Sequence, residues 1–86
     1  MRRVWVTSEA YQAAIQTLVE LRTARKTSQR ALAAALGKPR SFVSKYENRE
    51  RRLDVVEFIV IARALGLEPG AALERIAQAL PDDVRI

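Results

Sequence analysis

Gly37 is the residue that most narrows what this chain can fold into. It separates two short apolar stripes, Leu32, Ala33 and Leu36 before it and Val43 and Tyr46 after it. Each stripe has helical spacing over only two or three turns. Ser28 is placed to cap the first helix, and Gly37 supplies the left-handed position that ends it. Pro39 falls in the first turn of the next helix, where a missing backbone N–H is tolerated. Two short helices around a tight glycine turn form a helix-turn-helix unit. Ala33 has to be small where the helices cross, and Val43 and Tyr46 pin the second helix to the core. The remaining surface of that helix, within GKPRSFVSKYEN at 37–48, is left to face outward.

The flanking sequence is punctuated the same way. Thr7 or Ser8 can cap a first helix over about 8–25, with Tyr11, Ala14, Ile15, Leu18 and Leu21 along one side. The helices about Gly37 span about 28–36 and 39–48. Asp54 and Glu57 match a capping box, with Leu53 and Phe58 at the staple positions, so a fourth helix runs over about 54–65 and stops at Gly66. Pro69 opens a helix within 68–80, which Pro81 ends; Leu73, Ile76, Ala77 and Leu80 share one side. Residues 81–86 form a tail. Residues 1–7 read as an arm or a short strand, because Val4 and Val6 alternate with Trp5. The expected fold is all-α with five helices: a helix-turn-helix core of four over 8–67, and a C-terminal helix over 68–80.

Eighty-six residues allow one modest core, and the absence of cysteine leaves helix packing to hold it. That absence fits a reducing compartment. The start MRRVWVT lacks the apolar run of a signal peptide, and VVEFIVIARALGL is too short and too charged to span a bilayer. The expectation is a cytoplasmic protein with no membrane contact. With no histidine or cysteine, the common zinc sites and the Ser-His and Cys-His nucleophiles are ruled out. The three glycines are scattered and make no phosphate loop. No enzyme, cofactor or metal is expected.

The charge is +5, and its distribution is uneven. Residues 22–52 carry ten bases against Glu47 and Glu50, or +8, while the flanks carry five bases and eight acids, or −3. A basic middle between acidic flanks points to one surface that meets a polyanion.

At this point the chain resembles a known family, the Cro/C1-type helix-turn-helix regulators, also called the xenobiotic-response-element family. The resemblance rests on LRTAR at 21–25, SQRALAAALG at 28–37, PRSFVSKYE at 39–47, RRLDVVEF at 51–58 and IARALGL at 61–67. It implies a sequence-specific binder of double-stranded DNA that regulates transcription, as a repressor, with helix 39–48 in the major groove. Carried over residue by residue, the resemblance gives base reading to Arg40, Ser41, Phe42, Ser44 and Lys45. Arg40 suits guanine O6 and N7, and Phe42 suits a thymine methyl. Ser41 suits a base or a phosphate, and Lys45 a guanine or the backbone. Ser28, Gln29, Arg30, Lys38, Asn48, Arg49 and Arg51 are assigned to phosphates. Arg30 stands in a first helical turn, where the macrodipole disfavours a cation unless a phosphate lies near.

The chain departs from the family pattern in three places. Lys26 and Arg49 stand where glycine is usual, and Arg40 where glutamine is common. Asn48, which tolerates the left-handed region, is the expected substitute at the end of the third helix. Glu47 is expected to pair with Arg51 or Arg52, and Tyr46 to be core. One reading helix covers few base pairs, so the implied partner is an inverted-repeat operator bound by a homodimer. Candidate dimer contacts are Val4, Trp5, Val6, Leu73, Ile76 and Leu80. Trp5 could instead cover the core, or sit on an arm whose Arg2 and Arg3 enter the minor groove. The rival reading is an antitoxin or other protein-interaction module on the same fold. A single-strand binder would need stacking aromatics, and the five present read mostly as core.

Overall fold

Four of the five helices start at a side chain that accepts a backbone N–H otherwise lacking a partner. The computed structural model describes residues 8–84. Within them α1 spans Glu9–Ala24, α2 Gln29–Leu36, α3 Arg40–Glu47, α4 Val55–Ala64 and α5 Pro69–Ala79. Ser8 Oγ accepts from the Tyr11 N–H at 3.1 Å, and Ser28 Oγ from the Ala31 N–H at 3.0 Å. At α4 the capping box is complete: the Glu57 N–H donates to Asp54 Oδ1 (2.7 Å) and the Asp54 N–H to Glu57 Oε1 (3.0 Å). Glu68 accepts from the Ala71 N–H, with Pro69 as the first residue of α5. Pro39 is extended (ψ 154°), so it caps α3 from outside, and the helix begins at Arg40.

Four of these helices close with the same pair of backbone bonds. The N–H of the left-handed residue and that of the residue after it reach back to carbonyls three and five residues earlier. The pairs run from Lys26 and Thr27, Gly37 and Lys38, Arg49 and Glu50, and Gly66 and Leu67. The left-handed residues are Lys26 (φ 54°), Gly37 (φ 68°), Arg49 (φ 62°) and Gly66 (φ 74°). Asn48 does not take that role: its φ is −85°, and Arg49 turns instead. The Glu50 N–H reaches the Lys45 carbonyl only if the bend falls at Arg49. A side chain in this region costs about 1–2 kcal/mol.

The core joins Ile15, Leu18 and Leu21 of α1 to Leu32 and Ala33, Val43 and Tyr46, Ile61, Ala62 and Leu65, and Ala72 and Ile76. α1 lies on α5 and α3, α2 on α3 and α4, and α4 on α5. Leu32 and Val43 are completely enclosed, each worth about 1.5–3 kcal/mol of burial. Ile76 belongs to this core, which removes it from the candidate dimer surface; Leu73, one turn earlier on α5, is exposed. Val4, Trp5, Val6 and the possible arm or strand at 1–7 lie outside the described residues. No strand occurs among the described residues.

Candidate nucleic-acid interface

α3 divides cleanly. At about 100° per residue, Arg40, Ser41, Ser44, Lys45 and Asn48 fall within an arc of about 140°. Arg40, Ser41, Lys45 and Asn48 are exposed; Ser44 is half-buried and donates its hydroxyl to the Ser41 carbonyl at 3.3 Å. Val43, Tyr46 and Glu47 face inward.

The inward Glu47 is the anchor. Its Oε2 accepts from Arg22 Nε at 2.7 Å, and its Oε1 accepts from Arg22 Nη2 (3.0 Å) and Gln29 Nε2 (2.8 Å). Arg22 also donates to the Thr27 carbonyl at 2.9 Å. One carboxylate therefore ties the end of α1, the start of α2 and the end of α3. The Arg51 and Arg52 pairing expected for Glu47 does not occur, because the inward face of α3 points that carboxylate at α1. Gln29, assigned to a phosphate, gives one of its two amide hydrogens to this junction. Burial pushes the Tyr46 phenol well above its ordinary value; the Glu47 charge adds to the rise and Arg22 opposes it.

At the other end of α3, Phe42 is half-buried and lies off the outward arc. Its ring meets Tyr46 edge-on at 5.8 Å, with Arg51 Cζ 4.8 Å and Lys38 Nζ 5.8 Å from its centroid. Packed this way, Phe42 supports α3 and does not present its ring to a thymine methyl. Arg51 is not extended as an outlying phosphate contact either. It makes two bonds to Glu57 (3.0 and 2.9 Å) and one to the Arg52 carbonyl (3.1 Å). The Arg51 guanidinium, helped by the Asp54 N–H, holds the Glu57 carboxyl below the usual range.

What remains outward is basic. The side chains of Lys26, Arg30, Arg40, Lys45 and Arg49 make no hydrogen bond or ion pair among the described residues. Arg30 stands in the first turn of α2, beside the Gln29–Glu47 link. Ser28 is already committed as the α2 cap acceptor, with its hydroxyl hydrogen still available to donate. Reading the sequence by neighbourhood missed Arg22 and Arg25. Arg25 Nε donates to the Leu65 carbonyl (2.8 Å) and Nη2 to that of Gly66 (3.0 Å), closing the end of α4. The available signal for Arg22 was a base on the inward stripe of one helix and an acid, Glu47, on that of another.

The helix-turn-helix family profile matches residues 18–71. Among solved structures, an XRE-family like protein from Pseudomonas syringae pv. tomato str. DC3000 is 46% identical, with a TM-score of 0.78. That similarity covers 88% of this chain and 93% of the other. No curated protein matches the chain.

Proposed function

This chain belongs to the XRE type of helix-turn-helix DNA-binding regulators, and from that membership we propose that it is a repressor that reads an inverted-repeat operator as a homodimer in the cytoplasm. It acts by binding, not by catalysis. The single observation that carries the reading is the outward arc of α3, where Arg40 and Lys45 stand exposed, their side chains unpaired among the described residues, on a helix locked from behind by Glu47. Arg40, Ser41, Ser44 and Lys45 read bases; Ser28, Gln29, Arg30, Lys38, Asn48 and Arg49 hold phosphates. Arg51 and Phe42 brace the start of α3.

Two features support a second copy. The molecule measures 35 × 28 × 20 Å, and its longest dimension is comparable with one DNA turn, about 34–36 Å, the spacing of paired half-sites. On α4, Val55 (74% exposed), Val56 (67%) and Val60 (46%) form an apolar outer strip, with the exposed Arg63 at its C-terminal end. Beside it lies a groove of about 180 Å³ that also includes Leu36 and Phe42. Such a face marks contact with another protein surface. Leu73 and Leu80 are the remaining candidates.

Selection of bound duplexes from a random library near physiological salt tests this. The expected product is an inverted repeat with a fixed guanine in each half-site. Arg40→Ala then loses about 1–3 kcal/mol of preference at that guanine. Equal loss on every sequence would move Arg40 to a phosphate. No enrichment, together with a second chain that co-purifies, would favour the antitoxin reading. Sedimentation that finds monomers even with operator present removes the dimer.

A further inference from the structure

The four matched helix ends differ in one respect. Those of α2 and α4 turn on Gly37 and Gly66; those of α1 and α3 turn on Lys26 and Arg49. The left-handed region disfavours any residue with a Cβ, so glycine would serve all four. The side chains of Lys26 and Arg49 also lack a hydrogen-bonding or ion-pair partner among the described residues, within a window that carries +8. In the free protein each therefore carries a backbone cost with no side-chain bond to offset it.

The two cations belong to one place in the fold. Lys26 adjoins Thr27, whose carbonyl accepts from Arg22, and Arg49 follows Glu47 by two residues. Arg22 and Glu47 are paired at 2.7 Å, and Gln29 joins them. The loops holding Lys26 and Arg49 thus flank the junction where the first turn of α2 meets the last turn of α3. Those are the two elements assigned to phosphate contact and base reading.

We propose that Lys26 and Arg49 act as a pair, gripping the DNA backbone on either side of the Arg22–Glu47 junction, and that stability is given up at both helix ends to keep a cation there. The pair rests on the duplex-binding reading above. It adds Lys26 to the interface and links its contribution to that of Arg49. A phosphate held by each cation offsets the backbone cost at these two ends, whereas Gly37 and Gly66 turn without one.

The test uses the full chain, a labelled duplex carrying the selected sequence, and salt from 50 to 200 mM. Lys26→Gly and Arg49→Gly should each melt higher without DNA, by roughly 4–8 °C per substitution. Each should also bind more weakly and flatten the slope of log affinity against log salt by about 0.9. Over that salt range, one such contact corresponds to a change of about threefold. Lys26→Asn, neutral but tolerant of the left-handed region, should lose the same contact. Lys26→Arg and Arg49→Lys should keep it. Glycine variants with unchanged affinity and slope, or with a lower melting point, overturn the pair while leaving duplex binding intact. A wild-type chain that binds no duplex overturns both readings together.

Discussion

The two ends of α3 are held by the same chemistry under opposite solvation. At its C-terminal end, Glu47 and Arg22 meet with side chains only 5% and 11% exposed. At its N-terminal end, Arg51 lies over Phe42 and pairs with Glu57, with side chains 40% and 27% exposed. Solvent decides what each pair is worth. A pair withdrawn from water fixes geometry, because losing one partner strands a charge in the interior. A wet pair is screened and contributes little. The helix is therefore fastened at its back end and braced more lightly at the end that carries Arg40.

The largest break in that contrast comes at Glu47. Glu47→Ala should cost about 3–5 kcal/mol in urea unfolding, since Arg22 is left buried without its counter-charge. Replacing both partners with apolar residues, as in Arg22→Met with Glu47→Leu, should recover much of that loss. A cost under about 1 kcal/mol for Glu47→Ala would make the two ends equivalent.

Tyr46 gives the same end a pH signature. Its phenol is raised in the folded state, so its contribution is complete below the unfolded value near 10 and is lost as pH rises beyond that. Stability should fall by about 1.4 kcal/mol per pH unit above roughly pH 10, and Tyr46→Phe should remove that component.

The smallest effect belongs to the front end. Arg51→Ala should cost about 0–1 kcal/mol and lose its effect in high salt. Glu57 runs the opposite way from Tyr46 in pH. Its carboxyl is depressed, so its contribution is present above the ordinary value near 4.3 and disappears as pH falls through the folded one. An Arg51→Ala loss as large as that of Glu47→Ala would reverse the ranking of the two ends.

Much of the fold is legible because helix ends are local events. Gly37, the Asp54–Glu57 box and Pro69 act within one turn of themselves, so their roles follow from spacing alone. Lys26 and Arg49 are different. No local preference sends a cation left-handed; the closing bonds to Arg22 and Lys45 carbonyls do. Glu47 fails for a related reason. Its neighbours in sequence are Arg51 and Arg52, but its partner lies 25 residues away on another helix. Phe42 stands among residues that face outward, and only the packing of Arg51 and Lys38 on its ring shows that it faces sideways. The outward residues Arg40, Ser41 and Lys45 are legible because the inward ones, Val43 and Tyr46, are apolar.

The reach of Arg25 also bears on how the molecule opens. Its guanidinium holds carbonyls 40 and 41 residues away, and a Cβ on Gly66 would come within 2.6 Å of its Nη2. The loop before α2 and the end of α4 therefore form one cooperative unit and not two frayed ends. In amide hydrogen exchange, Lys26, Thr27, Gly66 and Leu67 should lose protection together, and Arg25→Ala should uncouple them.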